Sequence, residues 1–320
     1  MLPTRVLKLP NFILAGAPKS GTTALYHYLR QHPQVYLSPI KEPTFFAADD
    51  ILSQPDLRSK VEHQRAALRA YLAGSQLRPT HFLITEWDDY VQLFREVRDQ
   101  TAIGEASVSY LWSLSAAAAI RSKLPDVRLI FVLRDPTERL YSLYLLNLRR
   151  EPHLTFRDWV LQAMALHRDR SKGMNRYPIP LDSGLYATQL GRFLDIFPRN
   201  QVRIYLYESY RDHAREVVRD ILAFLGVDPN YPIDMSHRHN ETLLPRFPTL
   251  ARLRPRILGN VSLSSWLPTP VVDALRKLYN RPKRSFAMPP ADRRMVIDYY
   301  RDEILRTADL IGADLSAWLG

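Results

Sequence analysis

The feature that most constrains this chain is a short stretch near its beginning, residues 12–28, with the sequence FILAGAPKSGTTALYHY. Residues 12–15 form an apolar run typical of a buried strand. From Thr22 onward the apolar side chains of Leu25, Tyr28 and Leu29 share one helical face. A strand, a glycine loop and a helix in this order direct backbone N–H groups and the positive end of the helix toward one point. Such an arrangement favours binding of an anion.

The loop has the spacing of the phosphate-binding motif G-x-x-x-x-G-K-[ST] but not its composition. Gly16 and Gly21 have the required separation, whereas Thr22 stands at the lysine position. The loop carries its lysine elsewhere, as Lys19, which argues against handling a β/γ-phosphate pair as kinases do. Three hydroxyls are placed to hold one anionic group: Ser20, Thr22 and Thr23. The alternative interpretation is an ordinary turn between strand and helix, with Thr22 as the N-cap.

Length and composition favour one globular domain over residues 1–320, because no Pro-, Gly- or Ser-rich linker and no internal repeat divides the chain. No apolar run approaches the ~18 residues of a membrane span, and residues 1–10 do not form a signal peptide. The lack of cysteine excludes disulfides and fits a cytoplasmic protein. The net charge of +11 suggests an anionic ligand, a nucleic acid or an acidic surface. An arginine-rich solvated exterior is the alternative.

A second candidate anion site follows the clearest buried strand, residues 128–133. The strand runs into Arg134-Asp135-Pro136, and proline is well suited to open the next helix. Ligands of open α/β sheets bind at the carboxyl ends of strands, where Arg134 is expected. Ser142 lies on the following helix, three positions after Arg139 and therefore on the same face. An arginine and a hydroxyl converging there favour a phosphate, although Arg134 paired with a neighbouring carboxylate at the surface is the alternative.

A loop pinned by Pro39 and Pro43 carries the adjacent charges Lys41 and Glu42. Proline fixes its own φ and restricts the preceding residue, so the loop should be stiff. It follows soon after the helix that begins at the glycine loop. Either it presents Lys41 and Glu42 to a ligand or it is a surface turn with a charge pair.

The remaining pattern alternates helices and strands, which predicts an α/β fold with a P-loop-like, central, mainly parallel β-sheet flanked by helices on both faces. Strands are predicted near residues 12, 103, 128 and 202, and residues 35–37 are extended. Helices are predicted at residues 61–71, 89–98, 116–123, 156–167, 185–197, 215–225 and 292–310. Residues 234–270 are proline-rich and irregular, and residues 280–285 form a basic loop.

These motifs together resemble the sulfotransferases that use 3′-phosphoadenosine 5′-phosphosulfate. Ala17-Pro18-Lys19-Ser20-Gly21-Thr22-Thr23 is similar to their 5′-phosphosulfate loop, and Arg134-Asp135-Pro136 with Arg139, Ser142 and Tyr144 is similar to their 3′-phosphate motif. Three further segments resemble the heparan sulfate N- and 3-O-sulfotransferase branch: Lys41-Glu42-Pro43 with Phe45-Phe46, Gly184-Leu185-Tyr186 and Asp298-Tyr299-Tyr300-Arg301. The likeness runs from about residue 12 to residue 319.

The resemblance implies in-line sulfuryl transfer from this donor without a metal. Lys19 would stabilise the leaving phosphate, and Glu42 would be the general base. Donor-binding residues would be Lys19, Ser20, Gly21, Thr22, Thr23, Arg134, Ser142, Arg281, Lys283 and Arg284. Lys41, Glu105 and Tyr186 would contact the acceptor, with Glu105 as the reserve candidate for the base.

Secreted members of this branch carry a transmembrane anchor and many have a disulfide. This sequence shows neither, so we expect a soluble bacterial relative whose acceptor need not be of the heparan type. A saccharide, a lipid, a natural-product alcohol and an amine all stay open as acceptors. Two rival functions also stay open at this stage: an atypical P-loop nucleotide kinase, and a non-catalytic protein that binds anions or nucleic acid.

Overall fold

The structure is a computed structural model that describes residues 8–53, 55–74, 83–148, 154–168, 180–236, 243–245, 280–282 and 287–320. Five parallel strands form its central sheet: β1 Phe12–Gly16, β2 Val35–Leu37, β3 Ala102–Ala106, β4 Arg128–Leu133 and β5 Val202–Leu206. Their spatial order is β2-β3-β1-β4-β5, so the first strand lies in the middle. The predicted parallel sheet is confirmed, and all four predicted strands belong to it.

The register of the sheet brings three strand ends together at one edge. Phe12 of β1 is aligned with Gly104 of β3 on one side and with Arg128 of β4 on the other. A side chain at Gly104 would place its Cβ 2.5 Å from the Phe12 ring, so glycine is needed for this close packing. Because all strands are parallel, the segments that follow β3, β1 and β4 leave the sheet side by side.

The described part of the chain contains helices at these positions: α1 Thr22–Leu29, α2 Ala48–Leu52, α3 Pro55–Leu72, α4 Trp87–Gln92, α5 Ser109–Trp112, α6 Ala116–Lys123, α7 Pro136–Asn147, α8 Phe156–Arg168, α9 Tyr186–Leu194, α10 Tyr207–Asp212, α11 Ala214–Leu225 and α12 Pro290–Ile311. Short 3₁₀ turns lie at Phe45–Ala47, Asp182–Gly184, Arg199–Gln201 and Ser316–Trp318. No described helix is both long and apolar enough to cross a membrane.

Alternating side chains of the central strands bury both faces of the sheet. Phe12 and Leu14 pack with α1 and α11, through residues such as Leu25 and Ile221. Ile13 faces the opposite layer, which contains side chains of α5, α6, α7, α9 and α12. The prediction of helices on both faces is therefore confirmed.

Two predictions about local structure differ from what is observed. The helix predicted at residues 89–98 ends at Gln92, because the chain then tightens into turns with bonds such as Phe94 N to Val91 O. A short antiparallel pair, β6 Leu243–Pro245 with β7 Asn280–Pro282, replaces irregular chain at those positions.

The remaining residues of 237–279 and 283–286, including Lys283 and Arg284, lie outside the described residues. That residues 1–320 form a single domain stays a prediction.

Candidate active site

The glycine loop connects the middle strand β1 to helix α1 and is held against β4. The N–H of Ala17 donates to the carbonyl oxygen of Val132 across 2.8 Å. Gly21 is the N-cap of α1 and has φ = 80°, a left-handed conformation that favours glycine. A Cβ at Gly21 would lie 2.9 Å from the Tyr210 ring and 3.1 Å from the Tyr207 ring. Conformation and close packing together therefore require glycine here, and the alternative with Thr22 as N-cap is wrong.

The beginning of α1 has the properties of an anion site. Its first turn contains no acidic residue, and no side chain caps it. Ser20 is fully buried, and its Oγ has no hydrogen-bond partner among the described residues. An unpaired buried hydroxyl is costly unless a ligand satisfies it. Thr22 is buried and Thr23 is half-buried in the same turn. The hydroxyls, the free N–H groups of the first turn and the helix dipole fit a bound phosphate or phosphosulfate group.

Arg134 connects the predicted anion site after β4 with the glycine loop after β1. Its Nη1 donates to the carbonyl oxygen of Lys19 across 3.1 Å. The guanidinium lies over the Tyr207 ring, 4.8 Å from its centroid, and Nη2 is 3.5 Å from Glu138 Oε2. Tyr186 Oη donates to the Arg134 carbonyl oxygen at 2.9 Å. Only 11% of the Arg134 side chain is exposed, so it is not the surface arginine of the alternative interpretation, although the predicted pairing with Glu138 is present.

The turn that carries Arg134 is fixed by an acidic N-cap. Asp135 Oδ1 accepts hydrogen bonds from the backbone N–H of Thr137 and of Glu138, and Pro136 opens α7 as predicted. Burial raises the pKa of Asp135, whereas the two backbone donors and the Arg293 guanidinium oppose that rise. Arg293 comes from α12 and reaches both Asp135 Oδ2, at 3.3 Å, and Glu138 Oε1, at 3.1 Å. The turn therefore depends on a helix near the end of the chain.

Ser142 and Arg139 lie further along α7 and are both buried. The Nη2 of Arg139 donates to the Pro180 carbonyl oxygen at 2.8 Å. That bond ties α7 to the segment before the Asp182–Gly184 turn. Arg139 therefore contributes to packing between elements, while Ser142 stays a predicted ligand of the donor.

The Lys41-Glu42 loop is anchored directly beyond β3. The N–H of Glu42 donates to the Ala106 carbonyl oxygen at 2.9 Å. Glu42 has φ = 66° and Thr44 has φ = 55°, so two residues other than glycine are held in the left-handed region. The Lys41 ammonium lies 2.9 Å from Glu42 Oε1, and both side chains are partly exposed. Because β3 is the neighbour of β1, the Glu42 turn lies at the same edge of the sheet as the glycine loop.

Glu105 lies beneath that loop and is fully buried. Its Oε1 accepts from the hydroxyls of Tyr110, at 2.6 Å, and Tyr90, at 3.4 Å, and its Oε2 accepts from Ser107 Oγ at 2.8 Å. Ser107 Oγ in turn accepts the backbone N–H of Thr44 at 3.1 Å. A chain of hydrogen bonds therefore leads from Glu105 to the turn that contains Glu42.

Burial raises the pKa of Glu105 to about 7, although its three hydroxyl donors act in the opposite direction. The negative charge of Glu42 adds to the rise. Glu105 therefore changes its charge near neutral pH while remaining out of contact with solvent.

Four predicted site residues remain, and the structure describes two of them, Tyr186 and Arg281. Tyr186 is almost fully buried, and burial raises its pKa to about 12. Arg281 belongs to β7, and Lys283 and Arg284 fall outside the described residues. Among the described residues, no group of three or more His, Asp or Glu side chains could hold a metal ion.

Three further contributors were not predicted: Tyr207, Glu208 and Arg293. Tyr207 follows the last residue of β5, so the rule that ligands bind at the carboxyl ends of parallel strands points to it. Glu208 Oε1 accepts the backbone N–H of Asp135 at 3.2 Å. No sequence signal connects Arg293 with this turn.

Comparison with known proteins identifies the family. The profile of the sulfotransferase family matches residues 10–231, a range that includes the glycine loop, the Glu42 loop and the Arg134 turn. The chain belongs to the sulfotransferase family. The resemblance found in the motifs is confirmed, and the family agrees with the predicted sulfotransferase. The nucleotide-kinase and non-catalytic alternatives lose their support.

Known sulfotransferases match most of this chain. Human carbohydrate sulfotransferase 15 is 27% identical over 98% of this chain and 55% of its own length. Mouse bifunctional heparan sulfate N-deacetylase/N-sulfotransferase 4 is 25% identical over 70% of this chain and 23% of its own length. The chain therefore spans about half of the first of these relatives and less of the second. The crystal structure of a sulfotransferase from Alicyclobacillus acidocaldarius is similar over 97% of this chain and 99% of that one, with a TM-score of 0.67 and 28% identity.

Proposed function

We propose that this sulfotransferase moves a sulfuryl group from 3′-phosphoadenosine 5′-phosphosulfate to a hydroxyl or amine of a saccharide. The main support is the contact between Arg134 and the Lys19 carbonyl oxygen. It brings the two predicted anion-binding sites, the glycine loop and the Arg134 turn, side by side at one edge of the sheet. The proposed donor has two separate anionic ends, its 5′-phosphosulfate and its 3′-phosphate. A ligand with one anionic group would need only one of the two sites.

The 5′ end belongs to the glycine loop. Ser20, Thr22, Thr23 and the first N–H groups of α1 hold the phosphosulfate, and the unpaired Ser20 Oγ supports this role. Gly21 allows the ligand to approach the backbone closely. Lys19 stabilises the charge that develops on the leaving phosphate as its bond to sulfur breaks.

The 3′ end belongs to Arg134 and Ser142. A guanidinium stacked on Tyr207 and bonded to the Lys19 carbonyl is oriented before the ligand arrives, so less side-chain entropy is lost on binding. Arg281, Lys283 and Arg284 are proposed to close over the phosphates of the donor.

Glu42 is the proposed general base. It lies at the carboxyl edge of β3, beside the glycine loop, on a turn held by two hydrogen bonds, Glu42 N to Ala106 O and Thr44 N to Ser107 Oγ. As the acceptor oxygen or nitrogen bonds to sulfur, its proton passes to the Glu42 carboxylate. Lys41 orients this carboxylate through their contact and attracts an anionic acceptor. A partly exposed carboxylate can meet an acceptor, whereas the fully buried Glu105 is better suited to supporting the turn.

A saccharide acceptor is supported by the names of the relatives, which are carbohydrate and heparan sulfate sulfotransferases. Two measurements test the proposal. Adenosine 3′,5′-bisphosphate should raise the melting temperature without Mg²⁺, more than ATP with Mg²⁺ or an oligonucleotide does. Mass spectrometry should then detect a gain of one sulfuryl group on oligosaccharides incubated with the donor and the enzyme, and no gain with Lys19→Ala. Stabilisation by ATP with Mg²⁺ alone would contradict the proposal.

A further inference from the structure

Four charged side chains form an alternating network at the proposed 3′-phosphate site. Arg134 lies 3.5 Å from Glu138, Glu138 lies 3.1 Å from Arg293, and Arg293 lies 3.3 Å from Asp135. The two oxygens of the Glu138 carboxylate are divided between the two guanidiniums, Oε2 facing Arg134 and Oε1 facing Arg293. Of the four residues, only Arg293 comes from α12. Its guanidinium contacts both carboxylates of the turn, those of Asp135 and Glu138.

Glu138 is unfavourable for an anion that must bind Arg134. Its carboxylate competes for the guanidinium that the ligand needs, and its charge repels the ligand. About 39% of the Glu138 side chain is exposed, so solvent screens this repulsion only in part. A cation on the far side of Glu138 reduces both effects, because it holds the carboxylate and offsets its charge. Arg293 has that position.

We infer that Arg293 is a positioning residue of the donor site: by pairing with one oxygen of Glu138 it limits that carboxylate to a single 3.5 Å contact with Arg134, and so leaves Arg134 available to the 3′-phosphate. This inference rests on the proposed function, since it requires a phosphate at Arg134. Arg293 acts through Glu138 and touches neither donor nor acceptor.

Arg293 is well held for such a role. Its Nε and Nη2 donate to the backbone oxygen of Gly320, at 3.1 and 3.0 Å, which fixes the guanidinium from behind. Asp135 Oδ2 accepts from Nη2 on the other side. The contact with Asp135 also steadies the N-cap of α7, so a purely structural role of Arg293 has to be separated from the role at Glu138.

Calorimetric titration of the full-length chain with adenosine 3′,5′-bisphosphate provides the test. Arg293→Gln should weaken binding roughly tenfold, as expected when two charges in one network are uncoupled. The KM for the donor should rise in parallel while kcat stays within about twofold of the parent. Glu138→Gln should bind at least as tightly as the parent. The double variant Arg293→Gln/Glu138→Gln should bind within about threefold of Glu138→Gln, because the repelling charge is gone.

The exposed neighbour Arg294 supplies the matched control, and Arg294→Gln should bind like the parent. If Arg293 only stabilises the fold, Arg293→Gln will lower the melting temperature and Glu138→Gln will not restore binding, which would overturn the inference. Unchanged binding by Arg293→Gln would overturn it as well. A parent chain that does not bind the bisphosphate would instead contradict the proposed function.

Discussion

The guanidinium of Arg134 donates a hydrogen bond across 3.1 Å to the backbone carbonyl oxygen of Lys19, 115 positions earlier in the chain. The bond fixes the distance between the turn after β4 and the glycine loop after β1. A long donor with anionic groups at both ends needs that distance to be constant. Under the proposed function Arg134 therefore has two tasks, since it would bind one end of the donor and it also holds the loop proposed to bind the other end.

Replacing Arg134 should act mainly on donor affinity. Arg134→Ala removes the proposed charge-assisted contact to a phosphate that does not react, so binding of adenosine 3′,5′-bisphosphate should weaken by about one to two decades. Isothermal titration calorimetry measures this directly. The exposed Arg211, which pairs with Asp212, is the matched control, and Arg211→Ala should bind normally. Parental affinity in Arg134→Ala would show that the 3′-phosphate binds elsewhere.

Replacing Lys19 should act mainly on turnover. Its proposed partner gains charge only as the bond to sulfur breaks, so the interaction is stronger in the transition state than in the ground state. Lys19→Ala should therefore lower kcat by a larger factor than it weakens binding of the bisphosphate. Steady-state kinetics and calorimetry on the same preparation give the two factors. Lys123→Ala, at an exposed position that ends α6, should change neither.

Glu42→Gln tests the proposed base. The amide keeps the size of the side chain and can still form hydrogen bonds, but it cannot take the proton of the acceptor. Turnover should fall about 10²-fold or more, while the affinity for the bisphosphate stays within about threefold of the parent. Glu96→Gln, at a largely exposed carboxylate, is the control. Near-parental turnover would move the base elsewhere, with Glu105 as the next candidate. Loss of donor binding together with activity would instead make Glu42 structural.

The buried Glu105 should make stability depend on pH. Its pKa is about 7 in the folded protein, against an ordinary value of 4.5, so the folded state retains this proton when the unfolded state has lost it. Stability should therefore fall as pH rises from about 4.5 to about 7, by a contribution on the order of 3 kcal/mol. Urea unfolding at several pH values measures the slope. Glu105→Gln should flatten it. An unaltered slope in Glu105→Gln would assign the pH dependence to other groups.

Gly21 should tolerate no side chain for two reasons, its left-handed backbone conformation and its close packing. Comparison with a second glycine separates these two effects. Gly226 ends α11 with φ = 75°, close to the 80° of Gly21, but a Cβ at Gly226 would meet open space. Gly226→Ala should cost about 1–2 kcal/mol, the price of the left-handed conformation alone. Gly21→Ala should cost more and should also abolish binding of the bisphosphate, because the Tyr207 and Tyr210 rings must move. Thermal denaturation and titration measure both, and equal losses in the two variants would refute crowding at Gly21.

The sheet was predictable because its central strands are marked in the sequence by uninterrupted apolar runs. β4 has the run RLIFVL and β1 the run FILAG, and parallel strands buried on both faces have this composition. The place of the glycine loop was also implied, since a loop between a strand and a helix belongs at the carboxyl edge of such a sheet, but the order of the strands was not. In a parallel sheet, Lys19 after β1 and Arg134 after β4 are both expected near the carboxyl ends of the strands.

Other features depended on contacts that a sequence does not display. Glu105 is a carboxylate within the short strand AIGEA, and nothing in that strand indicates that two tyrosine hydroxyls meet it. The positive φ of Glu42 arises from hydrogen bonds to residues more than sixty positions away, Ala106 and Ser107. Arg293 lies on an amphipathic helix among other charged residues, and only the packing of α12 against α7 brings it to Glu138.

The position of β1 in the middle of the sheet has a consequence for how an active molecule is made. β1 is synthesised first, yet its two neighbours, β3 and β4, come from much later parts of the chain. During synthesis on a ribosome, the glycine loop therefore cannot contact the Arg134 turn until that turn has emerged. Nascent chains that end before Arg134 should not bind the donor. Pairings between distant segments form slowly, since a long loop must close before any contact offsets its entropy. The rate at which β4 docks beside β1 is expected to set how soon a new molecule becomes competent for catalysis.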